Sequence, residues 1–96
     1  MQNIEVLFQE YKENWLRQTD FLSNMLEITN NYYYQQIIAL GEDVIPLIIK
    51  DLKYEENHWF VALEKILGFT PIKNEHKGIY KLIKSDCLNY LEEKYK

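Results

Sequence analysis

The sequence predicts an all-α domain of about five helices, folded as antiparallel pairs. Apolar residues recur at spacings of three and four along most of the chain, and no run reads convincingly as a strand. Glycine and proline are scarce, with 3 and 2 in 96 residues, and sit where helices stop or start rather than in hairpin turns. A 47% hydrophobic and 15% aromatic composition supplies enough large side chains to close one small core, so residues 1–96 are expected to form a single helical domain.

Each element has its own signal. Ile4, Leu7, Phe8, Tyr11 and Trp15 recur at helical spacing, with Glu5, Lys12, Glu13 and Arg17 between them, which predicts an amphipathic helix over 3–18. Thr19-Asp20 breaks it, and the mixed pattern of residues 21–28 predicts an irregular turn with a short helical piece. Asn30 or Asn31 then offers a side-chain oxygen as an N-cap for a helix over 32–40 that buries Tyr34, Ile37, Ile38 and Leu40. Gly41 suits a helix end that needs a left-handed backbone. Glu42 and Asp43 favour the positive dipole end of a next helix near 42–53, and Pro46 fits its first turn, where a missing N–H breaks no bond. Val44, Ile45, Leu47, Ile48, Ile49 and Leu52 cover most of that helix, which predicts a central element packed on several sides. After a polar break at 53–57, with Asn57 as a candidate cap, a helix over 58–67 is expected to bury Trp59, Phe60, Leu63, Ile66 and Leu67. Gly68 and Pro71 stop it. A loop over 69–77 leads to a last helix with Ile79, Leu82, Ile83, Cys87, Tyr90 and Leu91 on its apolar stripe.

Charge narrows the partners. The net charge is −4, but residues 1–64 carry −7 and residues 65–96 carry +3. An acidic body argues against nonspecific DNA binding by the whole molecule, while the basic C-terminal third leaves room for a local cationic stripe. A single cysteine excludes an internal disulfide framework and suits a reducing compartment. The run Met1-Gln2-Asn3-Ile4-Glu5 has neither the basic patch nor the apolar stretch of a signal peptide, and no apolar run is long enough to span a bilayer. The expected location is the cytoplasm, with no membrane partner.

From Asn31 to Ile72 the chain resembles a group of small uncharacterised prokaryotic proteins. Their core reads His-Pro-x-Tyr-x-x-Ile-Ile-x-x-Gly, then Pro-x-Ile-Leu-x-x-Leu, then His-Trp-Phe-x-Ala-Leu-x-x-Ile-x-Gly-x-x-Pro. The matching residues are Tyr34, Ile37, Ile38, Gly41, Pro46, Ile48, Leu52, His58, Trp59, Phe60, Ala62, Leu63, Ile66, Gly68 and Pro71. Asn31-Tyr32 stands where the pattern has His-Pro. More loosely, the same span is similar to paired-helix repeats of the HEAT kind. That resemblance implies an interaction fold and carries no catalytic residues or cofactor.

Little in the chain points to chemistry. His58-Trp59-Phe60 invites a reading of His58 as a base beside an aromatic wall, but a general base needs an orienting partner, and local hydrogen bonding at a helix start is the simpler reading. His76 falls in a polar loop and is expected to be solvated. Two histidines and one cysteine lack zinc-site spacing, so no metal is expected. Cys87 reads as a small buried hydrophobe. The carboxylates, including the neighbours Glu55-Glu56 and Glu92-Glu93, read as solvated helix faces.

Two surface features point to binding. Tyr32-Tyr33-Tyr34 spans about 200 degrees of helix, so with Tyr34 on the buried stripe, Tyr32 or Tyr33 is left for a partner. Lys77, Lys81 and Lys84 are spaced as a cationic stripe on the last helix, with Lys73 nearby. The expectation is a non-enzymatic protein-binding module: an adaptor, inhibitor or antitoxin-like partner of a larger prokaryotic protein. Phosphate contact with nucleic acid through the lysines is the first alternative, and an enzyme using His58 with a carboxylate the second. A lone helix pair cannot bury both faces, so its flanking helices must act as caps, or the chain must dimerise.

Overall fold

Asn3 opens the first helix by accepting the Glu5 N–H on its side-chain oxygen at 2.7 Å. The computed structural model describes residues 3–55 and 57–95; Met1, Gln2, Glu56 (of the Glu55-Glu56 pair) and Lys96 lie outside them. Six α-helices follow one another: α1 Ile4–Thr19, α2 Met25–Thr29, α3 Tyr32–Ala39, α4 Ile45–Tyr54, α5 Phe60–Leu67 and α6 Tyr80–Lys94. Two 3-10 turns, Gly41–Val44 and Asn74–His76, precede α4 and α6, and no strand occurs among the described residues. The fold is all-α, and no helix among the described residues is long and apolar enough to cross a membrane.

The caps explain where the helices begin. Asn24 caps the single turn of α2, and Asn31 caps α3 by accepting the N–H groups of Tyr33 and Tyr34 at 2.9 and 3.3 Å. Gly41 follows α3 at φ 77° and Gly68 ends α5 at φ 84°, a left-handed conformation costly for any residue with a Cβ.

The helix expected from residue 42 begins instead at Ile45. Pro46 has no N–H to give the Glu42 carbonyl, so the Ile45 N–H bonds that carbonyl and the chain enters as a 3-10 turn. Nor is α4 apolar all round. Ile45, Ile48, Ile49 and Leu52 are buried, but Pro46, Lys50, Lys53 and Tyr54 form a wet stripe.

The helix expected from His58 starts at Phe60. Asn57 does not cap it, because its amide donates to Asp51 at 2.7 Å. The capping is done from a distance by Tyr34, whose hydroxyl accepts the Ala62 N–H and donates to the His58 carbonyl, both at 2.9 Å. A tyrosine on α3 thus fills the role that a serine or aspartate just before α5 would fill.

Among the described residues the buried apolar side chains form one cluster. Its centre is aromatic: the Trp15 ring lies 4.8 Å from both Tyr34 and Trp59, and Tyr34 stacks on Trp59 at 5.9 Å. α1 packs on α3, α3 on α5, and α4 on α6. On α6 the expected Ile83, Cys87, Tyr90 and Leu91 do face the packed side, but Tyr80 rather than Ile79 leads the stripe, and Ile79 and Leu82 stand 51% and 37% exposed.

Candidate functional site

α5 is the element that positions the site, because its two faces do different work. Ala62 and Leu63 point inward and are fully buried. Phe60, Val61 and Glu64 are half-buried and Lys65 is exposed, and all four line open space on the outer side. Two adjoining cavities of about 310 and 500 Å³ share Met25 and Val61 in their walls, so they form one groove running along α5. One side is α2, with Met25, Leu26 and Thr29; the other is Thr70, Ile72, Lys77 and Ile83, from the loop after α5 and the inner edge of α6.

Local sequence explains the opening. Asn24 starts α2 and the chain leaves it after five residues, so Met25 and Leu26 on its first turn stand 41% and 78% exposed beside the groove. Gly68 turns the chain off α5, and the segment after it comes back along the other rim. That segment is latched to α6: the Lys73 N–H donates to Asp86 at 3.0 Å and the His76 Nδ1 lies 2.8 Å from the same carboxylate oxygen. The Lys73 N–H first, then His76, hold the Asp86 carboxyl below the usual carboxylate range. The loop was expected to leave His76 solvated; it is instead a structural pair with Asp86, and both sit at the groove's edge rather than in it.

The groove is mostly apolar with a few polar groups, the composition of a recognition surface. A second cleft of about 280 Å³, between α1 and α4, is lined by Glu5, Gln9, Lys12, Lys50, Asp51 and Glu55. Its central charges are already spent on each other. Lys12 meets Asp51 at 2.7 Å, and the other Asp51 oxygen accepts from Asn57 at 2.7 Å and from the Trp59 indole at 2.6 Å. Burial works to raise the Asp51 carboxyl, but the hydrogen bonds from Lys12, Trp59 and Asn57 prevail and hold it below its ordinary value. The expectation that the carboxylates are solvated fails at Asp51 and Asp86. Asp51 was missed because its donors lie on α1, in the following linker and just before α5. The legible hint was a charge at i+3 from Ile48, on the buried face.

The expected contact residues do not converge. Tyr32 is 66% exposed and edge-stacked on Tyr33, which leans on Tyr11 of α1. Tyr33 is half-buried, so Tyr32 is the one that remains available. The lysine stripe is corrected: Lys77 precedes α6, Lys81 is exposed on it, and Lys84 lies half-buried, one residue past Ile83 toward the packed face. Lys77 joins the groove instead, while Lys81 and Lys84 line neither of its cavities.

The remaining candidates behave as scaffold. Gly41 and Gly68 take the left-handed backbone, Pro46 sits in the first turn of α4, and Pro71 lies in the loop beyond Gly68. Trp59 is fully buried and Phe60 packs on Tyr80 with ring centroids 5.3 Å apart. His58 precedes α5, its ring edge-on to Tyr80 at 6.0 Å. It borders the groove near Glu64, yet its Nδ1 is buried with no hydrogen-bond partner among the described residues, contrary to the expected local bond. Cys87 is fully buried, and burial pushes its thiol up to about 12, away from a reactive thiolate. Among the described residues no group of three His, Cys, Asp or Glu is placed to hold a metal.

No family model matches the chain, and neither a curated protein nor a solved structure is significantly similar to it.

Proposed function

We propose that this chain is a non-enzymatic protein-binding module of the prokaryotic cytoplasm, an adaptor, inhibitor or antitoxin-like partner of a larger protein, and that it binds through the groove along α5. The observation that carries the reading is the pair of adjoining, mostly apolar cavities that meet at Met25 and Val61 and reach an α2 whose Leu26 is 78% exposed. A monomeric chain gains nothing by exposing large side chains on the rim of a concave apolar surface unless something covers them. The looser sequence resemblance to paired-helix repeats of the HEAT kind supports the same reading, since such units stack helix on helix and leave an outer face for a neighbour. The buried, unactivated Cys87 is in keeping with a reducing cytoplasm.

The test is recovery of a stoichiometric partner from the native host, repeated with Leu26→Glu. Wild type is expected to bring down one protein that the variant does not. Recovery of the chain alone, or of the same protein at equal yield with both forms, contradicts the proposal.

A further inference from the structure

The groove's charges indicate what fills it. Its charged lining residues are Glu64, Lys65 and Lys77, so it carries a local excess of one positive charge in a chain of net charge −4. Lys65, in the last turn of α5, borders one cavity; Lys77, in the turn before α6, borders the other. Both are exposed, and neither makes an ion pair among the described residues, whereas Lys12 and Lys53 do. The groove is thus apolar along its floor and cationic at separate points of its rim.

Backbone accounting restricts the shape of what enters. A peptide group pressed against Met25, Val61 and Ile83 loses water and must find a partner. An extended peptide finds one by adding to a sheet edge, and the described residues contain no strand. An α-helix brings its hydrogen bonds with it. The outer face of α5, with Val61 and Lys65 one turn apart, is a ridge of the kind against which another helix packs.

We propose that the groove receives an amphipathic α-helix of the partner protein, with its apolar stripe on Met25 and Val61 and flanking carboxylates meeting Lys65 and Lys77. This rests on the protein-binding reading above and names its partner's chemistry. Neither α1 nor α6 of a second copy offers the matching face. The outer face of α1 is acidic but carries the isolated exposed apolar residue Val6, its stripe being spent on the core. The exposed Ile79 and Leu82 near the start of α6 lie between Lys77, Lys81 and Lys84, which Lys65 and Lys77 would repel.

The probe is a displayed library of amphipathic helical peptides, about 18 residues long to span several turns, with a fixed apolar stripe and flanking positions varied among Glu, Gln and Lys. Selection on the full chain is expected to enrich Glu. The selected peptide should bind one-to-one by fluorescence anisotropy, weaken with added salt, and lose about tenfold or more in affinity to Leu26→Glu. Lys65→Glu combined with Lys77→Glu should move the enrichment to Lys. Leu26 is mostly exposed and a new carboxylate in the first turn of α2 is tolerated, so the first variant folds. No enrichment, enrichment of Lys by wild type, or binding indifferent to Leu26→Glu overturns the proposal. So does a dimer in sedimentation that Leu26→Glu dissolves. If the host partner is still captured in a Leu26-dependent way while the library gives no Glu enrichment, the helix inference falls and the protein-binding reading stands.

Discussion

The two faces of α5 are finished to different standards. On the inner face the rings of Trp15, Tyr34 and Trp59 close around Ala62 and Leu63, and every polar atom those rings bring has a partner. Trp15 donates to the Ile28 carbonyl at 2.7 Å, Trp59 to Asp51, and Tyr34 to the His58 carbonyl while accepting from Ala62. Burial, partly offset by the Ala62 hydrogen bond, raises the Tyr34 hydroxyl's pKa, so it stays protonated, as its donation to the His58 carbonyl requires. On the outer face Val61, Glu64 and Lys65 border a groove with exposed apolar neighbours and lysines that make no ion pair among the described residues. A chain this small has little stability to spare, and it spends its large aromatics and its polar matching on one side. The other side is left to be completed from outside. Substitutions on the inner face should therefore cost folding and leave recognition to follow passively, and substitutions on the outer face should do the reverse.

Trp59→Ala is the heaviest blow available to the inner face. It removes a fully buried ring from contact with Phe8, Trp15 and Tyr34 and takes a donor from Asp51. Urea unfolding should show a loss of about 3–5 kcal/mol. A loss below about 1 kcal/mol would mean that the aromatic centre is not the keystone of the fold.

Asp51→Asn tests the polar part of the same face. Asp51 is 8% exposed and joins α1, α4 and the linker before α5, so removing its charge leaves the mostly enclosed Lys12 facing Glu55 at 4.0 Å in place of a carboxylate at 2.7 Å. A loss of about 2 kcal/mol is expected at neutral pH. Because the folded carboxyl is held below its unfolded value of about 3.9, its contribution is complete above that pH and disappears as pH falls through the folded value. The stability gap between wild type and variant should therefore close on acidification. A gap that is constant from pH 7 down to about 3 would show that the charge of Asp51 contributes nothing.

Tyr34→Phe keeps the ring and deletes the hydroxyl that caps α5. The Ala62 N–H loses its acceptor in a buried place, and the His58 carbonyl loses a donor. About 1–2 kcal/mol should go, with hydrogen exchange rising first at the amino end of α5. Uniform exchange along the chain would place the cap elsewhere.

These three residues also show what could be read in advance. Helical spacing located all five of the longer helices, the Asn30-Asn31 pair announced a cap that Asn31 supplies, and Gly41 and Gly68 announced their turns, because each signal lies within a few residues of its effect. The buried Trp59, Tyr34 and Cys87 followed from the same periodicity. What escaped was every feature whose parts are far apart in the chain. Tyr34 caps a helix 28 residues away, and Lys12 and Asp51 meet across 39 residues, with no local signal to pair them beyond the position of Asp51 on the buried face of α4. The groove escaped for the same reason: Met25, Val61, Lys77 and Ile83 belong to four segments, and only tertiary packing sets them side by side. Surface spacing read on one helix misled in turn. Lys77, Lys81 and Lys84 fit a stripe on paper, but the helix begins at Tyr80 and rotates Lys84 toward its packed side.

Leu26→Glu should be almost silent in folding and loud in recognition, which makes it the cleanest way to separate the two faces. Leu26 is 78% exposed, so little apolar area returns to water, and a carboxylate near the amino end of α2 sits well in the helix field. Unfolding by urea should agree with wild type to within about 0.5 kcal/mol. The same substitution places a negative charge on the rim that Lys65 and Lys77 make positive, and wets an apolar contact at the groove's edge. Loss of a partner without loss of stability would assign the outer face to binding. Loss of stability comparable to Tyr34→Phe would instead mean that Leu26, like Ile28 on the same turn, serves the core, and that α5 has one working face rather than two.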